Sequence, residues 1–182
     1  SAAGHAAAAW PSAKRRRVLA LRRLLDHATA LVARAVPSAR PLLTRVRHAV
    51  DAGNVGYDAF CDGTWVFVNI AAYFPKLPAA PLPAAPSAGA AAGAAAGAGG
   101  LTGGELEADE LRGFPRGLVH DLVVTVTHEL AHLLVSGGGH GPNWRDAHMG
   151  LLQQVYADAM QQQPGGYGAR RACAACRGGA GS

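Results

Sequence analysis

The stretch "VTHELAHLLVSGGGHGPNW", residues 126–144, holds the pattern H-E-x-x-H at His128, Glu129 and His132, then three glycines and His140. Residues four apart lie about 40° apart around an α-helix. His128 and His132 therefore project from one face and can reach one metal ion. Glu129 lies about 100° further round the axis and can reach a water beside that ion. The pattern predicts a zinc site in which Glu129 acts as catalytic acid and base.

The third ligand has to come from elsewhere, because a catalytic zinc takes three protein ligands and keeps its fourth position open. No glutamate follows Glu129 in the sequence, which excludes the metallopeptidases whose third ligand is a glutamate on a later helix. We expect His140, because the glycines before it favour a turn back toward the helix. His148 and Asp146 remain as alternative ligands. His148 can instead pack beside the site with Trp144.

The surroundings of the motif favour a site over a chance match. The helix around it is apolar over most of its circumference, and a charged Glu129 with two histidines is costly there unless something satisfies them. Five of the eight histidines fall between residues 120 and 148. The alternative is a helix whose histidines only make local hydrogen bonds.

Hydrophobic periodicity predicts three long helices, at 14–36, 117–135 and 143–163. Ser12 is the expected N-cap of the first helix, and Ser136–Gly139 should end the second. Shorter helices are expected at 41–50 and 105–111.

One segment has the character of a β-hairpin. The run "NVGYDAFCDGTWVFVNIAAYF", residues 54–74, has a turn signal at Asp62-Gly63 and a β-branched and aromatic stretch from Trp65 to Ile70. The fold class that follows is α+β, a small zincin-like metallopeptidase domain with a short antiparallel sheet packed on the H-E-x-x-H helix. We expect the Trp65–Ile70 strand to flank the cleft and pair with an extended substrate along its free edge.

Composition predicts one domain with loose segments. Hydrophobic residues make up 49 % of the 182 residues but aromatic ones only 6 %, and much of the rest is alanine, so we expect a folded unit of roughly 100 residues. The domain should span 14–163, interrupted by a low-complexity insertion at 79–104. Residues 1–13 are expected to be disordered and residues 164–182 to form a flexible tail. The chain begins with Ser1, which suggests a processed form or a fragment.

Basic residues are concentrated near the N-terminus. Residues 14–47 contain ten Lys or Arg against one acid, Asp26. Such a block can attract DNA or another acidic partner, or it can be a solvated helix face. Cys173 and Cys176 form a C-x-x-C pair, which supplies two of the four ligands of a structural zinc.

A membrane span is not expected. The most apolar run, residues 118–135, carries five ionisable residues, which are His120, Asp121, His128, Glu129 and His132. No secretory signal is evident, and we expect an intracellular protein.

The residues "HELAHLLV" followed by "HGPNW" resemble the SprT-like metallopeptidases and, more loosely, the related WLM metallopeptidases. The resemblance covers about residues 117–160, with a vaguer match in the hairpin at 54–74. It implies a hydrolase that cleaves proteins or peptides, zinc as cofactor, and a possible nuclear location, because known members cleave proteins crosslinked to DNA. It also implies three zinc ligands, a catalytic glutamate and a tryptophan packed beside the site, which would be His128, His132, His140, Glu129 and Trp144. The loop before His140 is shorter than in that family, yet longer than the ten-residue spacing of metzincins. The C-terminal zinc ribbon common in bacterial members is absent or cut off.

A second, weaker resemblance is to the terminal metallopeptidase-like module of large sacsin-like proteins. There a similar hairpin precedes an H-E-L-A-H helix, the order found here between residues 54 and 132. This resemblance implies a non-catalytic, zinc-stabilised module of a chaperone-like protein. A nucleic-acid-associated protein with a degenerate peptidase fold is the third alternative.

Overall fold

The computed structural model of the chain describes residues 11–51, 53, 56–78, 106, 111–135 and 139–162. Several expectations lie outside these residues. They are the disorder at 1–10, the insertion at 79–104, most of the helix at 105–111, the tail at 164–182 and the Cys173/Cys176 pair.

The described residues form a mixed α and β structure with a small sheet. The helices are α1 (Ser12–Ala35), α2 (Arg40–Leu43), α3 (Arg116–Leu134) and α4 (Pro142–Gln162), and the strands are β1 (Val46–Ala49), β2 (Ala59–Cys61) and β3 (Val66–Asn69). Short 3-10 helices occupy Pro37–Ala39 and Ile70–Lys76.

The long helices lie close to their predicted positions. α1 begins at Ser12, but the N-cap position belongs to Pro11, whose backbone is extended, and none of the described side chains caps the helix. The expectation that Ser12 is the cap is therefore wrong. α3 ends at Leu134 because Val135 is extended, with φ −114° and ψ 117°. α4 starts at Pro142, a residue suited to the first helical position because it has no N–H to satisfy.

The sheet has three strands in the order β1-β3-β2. β2 and β3 pair antiparallel, as the hairpin pattern predicts, but β1 pairs parallel to β3. The sheet is therefore mixed and not wholly antiparallel. The helix expected at 41–50 stops at Leu43, because the next residues pair with β3 and bury Val46 in the core.

The central place of β3 corrects a further expectation. Both of its edges are used, one by β1 and the other by β2, so the Trp65–Ile70 segment has no free edge for a substrate strand. The turn that precedes β3 is as predicted. Gly63 has φ +87°, and the Asp62 carboxylate accepts hydrogen bonds from the backbone N–H groups of Thr64 and Trp65 at 2.8 and 2.7 Å.

α3 is the central element of the core. It packs against α1, α4 and the sheet, and each fully buried leucine contributes about 1.5–3 kcal/mol through removal of apolar area from water. The fully buried residues that surround and include this helix are Leu21, Leu24, Val32, Val66, Val68, Leu118, Leu122, Val126 and Leu130. Within the described part of the chain, none of the helices has the length and apolar character needed to cross a bilayer.

Candidate metal centre

Two of the predicted ligands are placed by the core itself. Val126 and Leu130 are fully buried on α3, which fixes the rotation of the helix about its axis. His128 and His132, one turn apart, then sit at the partly exposed border of the buried face. Their ring centroids are 5.2 Å apart, so the periodicity argument from sequence is confirmed in three dimensions.

His140 reaches the same place from the start of the next helix. Gly139 has φ +142°, a region that residues with a Cβ rarely adopt. The Nε2 atom of His140 lies 3.2 Å from that of His128, twelve residues earlier. One nitrogen from each of His128, His132 and His140 lies within 4.8 Å of the others, so the three histidines can hold a metal ion.

The indole of Trp144 packs among these histidines. Its ring centroid lies 4.6 Å from His128, 5.3 Å from His132 and 4.4 Å from His140. Trp144 is 9 % exposed, and its Nε1 is buried with no hydrogen-bond partner among the described residues. The indole therefore forms an apolar wall that limits the movement of the three imidazoles.

The electrostatics of the site favour the neutral forms of His128 and His132. Burial, reinforced by the neighbouring histidines, lowers the pKa of His128 to about 4. Burial likewise lowers the pKa of His132, with smaller effects from His140 and His148. A neutral imidazole keeps a lone pair available for a metal ion, so His128 and His132 can coordinate an ion near neutral pH.

Glu129 differs from the histidines in its burial. Its side chain is buried, and loss of hydration raises its pKa to about 7. One carboxylate oxygen lies 3.8 Å from Nε2 of His128, beside the cluster. A carboxyl group with a pKa near neutrality can both accept and release a proton at physiological pH.

A hydrogen bond close to the H-E-x-x-H motif involves Tyr73, which the sequence did not mark as a site residue. The hydroxyl group of Tyr73 lies 2.6 Å from Oγ1 of Thr125, and Tyr73 is fully buried. Thr125 stands one helical turn before Glu129, so this bond ties the 3-10 helix after β3 to the motif-bearing part of α3. No local pattern marks Tyr73, because the pairing spans 52 residues.

The other predicted candidates take different positions. Among the described residues, neither Asp146 nor His148 belongs to the group close enough to share an ion. Asp146 is exposed. The ring of His148 lies 5.5 Å from that of His128, and its Nε2 is buried with no hydrogen-bond partner in the part of the chain that the structure describes. His120 is exposed and bonds to the hydroxyl group of Tyr156 at 2.7 Å.

The cluster fits a metal ion in its donor atoms and spacing. Tetrahedral zinc with Zn–N bonds of about 2.0–2.1 Å places its ligand nitrogens about 3.3 Å apart, close to the 3.2 Å between His128 and His140. Imidazole nitrogens suit zinc, copper, iron and nickel. Among the described residues, no fourth His, Cys, Asp or Glu side chain has a ligand atom within 4.8 Å of all three histidine nitrogens.

No family model matches this chain, and neither a curated protein nor a solved structure matches it. The chemistry of the site must therefore be inferred from its own side chains.

Proposed function

We propose that this protein is a zinc-dependent metallopeptidase that hydrolyses peptide bonds with Glu129 as general base. The observation that carries the proposal is the convergence of three imidazoles with a buried carboxyl group 3.8 Å from one of them. Three protein ligands leave one coordination position open, the arrangement used by catalytic rather than structural zinc. The zincin-like fold is part of this proposal.

His128, His132 and His140 would hold the ion. When bound, zinc supplies Lewis acidity, which makes a coordinated water a nucleophile near neutral pH and polarises the substrate carbonyl. Trp144 restricts the three rings, so they need little rearrangement on binding. Such preorganisation lowers the cost of forming a site.

Glu129 would carry out the proton transfers. In the ionised state its carboxylate accepts a proton from the attacking water, and in the protonated state it donates that proton to the leaving amine nitrogen. The burial that raises its pKa to about 7 makes both directions accessible near neutral pH. A polypeptide is the expected substrate, as the resemblance to SprT-like metallopeptidases also implies.

The decisive experiment compares wild type with Glu129→Gln. Both proteins are loaded with zinc, dialysed and analysed for metal, then incubated with an unfolded protein substrate and a quenched-fluorescent peptide library. We expect about one zinc per chain in both and cleavage only by the wild type. His120→Ala serves as the control, because His120 is an exposed histidine on the same helix but outside the cluster.

A second candidate function is a zinc-stabilised module without catalysis. It is favoured by the position of His128 and His132 on α3, which packs against α1, α4 and the sheet, so metal bound there would stabilise the whole fold. In that case zinc would raise the melting temperature, and neither wild type nor Glu129→Gln would cleave any substrate. A wild type that binds no zinc would exclude both functions.

A further inference from the structure

Two buried nitrogen atoms beside the histidine cluster lack the hydrogen bonds that buried polar atoms normally make. They are Nε1 of Trp144 and Nε2 of His148, and within the ranges that the structure describes no other buried side-chain nitrogen or oxygen is without a partner. Most buried polar atoms in folded proteins are hydrogen-bonded, so each exception calls for an explanation. Both exceptions lie on α4, four residues apart, which points to one explanation for the two.

The two nitrogens are complementary in their chemistry. Nε1 of Trp144 can only donate a hydrogen bond, because the indole nitrogen carries a proton and offers no lone pair. Burial lowers the pKa of His148, and a hydrogen bond with the backbone of Val124 acts against this. A bond that favours the protonated ring is one that the ring donates, and Nδ1 is then the donor, since Nε2 has no partner among the described residues. Nε2 of the neutral ring therefore carries a lone pair and can accept.

The fold also brings this donor and this acceptor close together. Residues four apart are neighbours on the surface of a helix. The ring centroids of Trp144 and His148 are 5.1 Å apart, with 39° between the ring planes. Rotation of one ring about its side-chain bonds is enough to bring the two nitrogens within hydrogen-bond distance.

Trp144 is the residue through which such a bond would act on the metal centre. Its ring centroid lies 4.6, 5.3 and 4.4 Å from those of His128, His132 and His140. An indole fixed in one orientation restricts these three imidazoles, whereas an indole that can turn over leaves them freer to move. The orientation of the indole N–H therefore affects how well the cluster is preorganised.

We infer that His148 is a positioning residue of the metal centre, which accepts a hydrogen bond from the indole N–H of Trp144 and so fixes the indole against the three imidazoles. This bond satisfies both buried nitrogens at once. Residues that support the ligands change metal affinity although they do not touch the ion. The effect on affinity rests on the proposed metal centre, whereas the hydrogen bond itself does not.

This role is distinct from that of a ligand. A lone pair on Nε2 that accepts the indole N–H is not available to an ion, so the two uses of His148 exclude each other. His148 also lies outside the group of histidines whose nitrogens are within 4.8 Å of one another. A positioning residue and a ligand can therefore be told apart by experiment.

The hydrogen bond is tested by NMR of the full ¹⁵N-labelled chain without metal. The indole resonance of Trp144 is identified by its loss in Trp144→Phe. An N–H that points at a ring nitrogen is deshielded, so we expect this resonance downfield in the wild type and shifted upfield in His148→Ala. His148→Gln should keep the downfield position, because its side-chain carbonyl oxygen can accept in place of Nε2.

The effect on the metal centre is tested by zinc affinity, measured in competition with a chelator. His148→Ala should lower the affinity about 10- to 100-fold, as expected for a residue that supports a ligand, and His148→Gln should restore most of it. Trp144→Phe should also lower the affinity, and the combined variant should lose less than the product of the two losses, because both changes delete one bond. His120→Ala, an exposed histidine outside the cluster, should leave the affinity unchanged.

Three results would overturn the inference. The first is a Trp144 resonance that lies upfield in the wild type, as for an N–H over the face of an imidazole, or that His148→Ala does not move. The second is zinc bound with unchanged affinity by His148→Ala. The third is a loss as large as that of His140→Ala without rescue by His148→Gln, which would make His148 a ligand.

Two further points keep the test decisive. If His148→Ala does not fold, His148→Asn replaces it, because the shorter amide can still donate to Val124 but has no atom at the position of Nε2. If the wild type binds no zinc, the proposed function fails and the positioning role with it. The NMR result still decides whether Trp144 and His148 are hydrogen-bonded, so the two failures are distinguishable.

Discussion

The Nε2 atoms of His128 and His140 lie 3.2 Å apart although one residue belongs to α3 and the other precedes α4. A hydrogen bond between these two rings requires one of them to present its N–H to the other, and it leaves His132 without a role. One ion shared by all three rings coordinates one nitrogen of each. The separation also matches that of ligand atoms on tetrahedral zinc, about 3.3 Å.

Replacing His140 with alanine should remove the third ligand and leave the helix pair intact. Loss of a residue that merely supports a ligand lowers metal affinity about 10- to 100-fold. We expect loss of His140 to lower zinc affinity by more than that. Competition with a chelator of known affinity measures the change. His148→Ala, a change beside the cluster but outside it, should cost less. An equal or larger loss from His148→Ala would make His148 the ligand.

Gly139→Ala, which adds a methyl group just before His140, should strain the backbone that brings His140 to the other two histidines. Gly139 has φ +142°, and alanine in such a region costs about 1–3 kcal/mol. Strain in the metal-bound state should lower zinc affinity about tenfold for each 1.4 kcal/mol of strain energy. Gly141→Ala is the matched control, because it has no positive φ and an added Cβ would meet nothing within 4 Å. Equal affinities of the two variants would refute a requirement for glycine at 139.

The stability of the metal-free protein should fall on acidification. The folded-state pKa values of His128, His132 and His148 lie below the ordinary 6.5, so the unfolded chain binds protons first as the pH falls. Stability is then lost from about pH 6.5 downward, continuing toward pH 4 for His128. Chemical denaturation at pH 8, 7, 6 and 5 in the presence of a chelator measures this.

Glu129 should have the opposite effect on stability over much of the same pH interval. Its pKa is raised from 4.5 to about 7, so between those values the folded protein holds a proton that the unfolded chain has released. Glu129 thus offsets part of the histidine effect, and Glu129→Gln should lose stability more steeply on acidification. The difference between the two slopes should approach one proton per chain. Parallel curves would show that the carboxyl group is not desolvated.

Removing the hydroxyl group of Tyr73 should weaken the fold modestly. Tyr73→Phe deletes a 2.6 Å hydrogen bond to Thr125, worth about 0.5–1.5 kcal/mol, with a further cost if the threonine hydroxyl is left unpaired. Thr125→Val removes the other partner with little change in volume. In a double-mutant cycle the two losses should not add, since they delete one interaction. Additive losses would mean that the two hydroxyl groups do not interact in solution.

Much of the fold and of the candidate site follows from local pattern. The apolar periodicity around Val126 and Leu130 predicts α3 within one residue at each end, because a helix buried on several sides needs that spacing. The four-residue interval between His128 and His132 then leaves little freedom in their relative position. His140 could be nominated because the glycines favour a turn and later glutamates are absent.

What could not be predicted depends on contacts between distant segments. β1 is four residues long, and residues 46–49 become a strand only because Val66–Asn69 is available to pair with them. For the same reason nothing local shows that β3 is central. The Tyr73–Thr125 bond and the contact of Arg47 with Trp65 arise in the same way, from residues that the folded chain brings together.

The division of the cluster between two helices has a kinetic consequence. His128 and His132 keep their separation as long as α3 is folded, whereas His140 precedes α4 and is held to them by the packing of α4 on α3, including its contact with Trp144. Capture of an ion would start on the rigid pair and be completed by the third imidazole, and release would run in reverse. The residence time of the ion would therefore be set by how often the contact between His140 and Trp144 loosens, while the lifetime of the fold as a whole would matter far less.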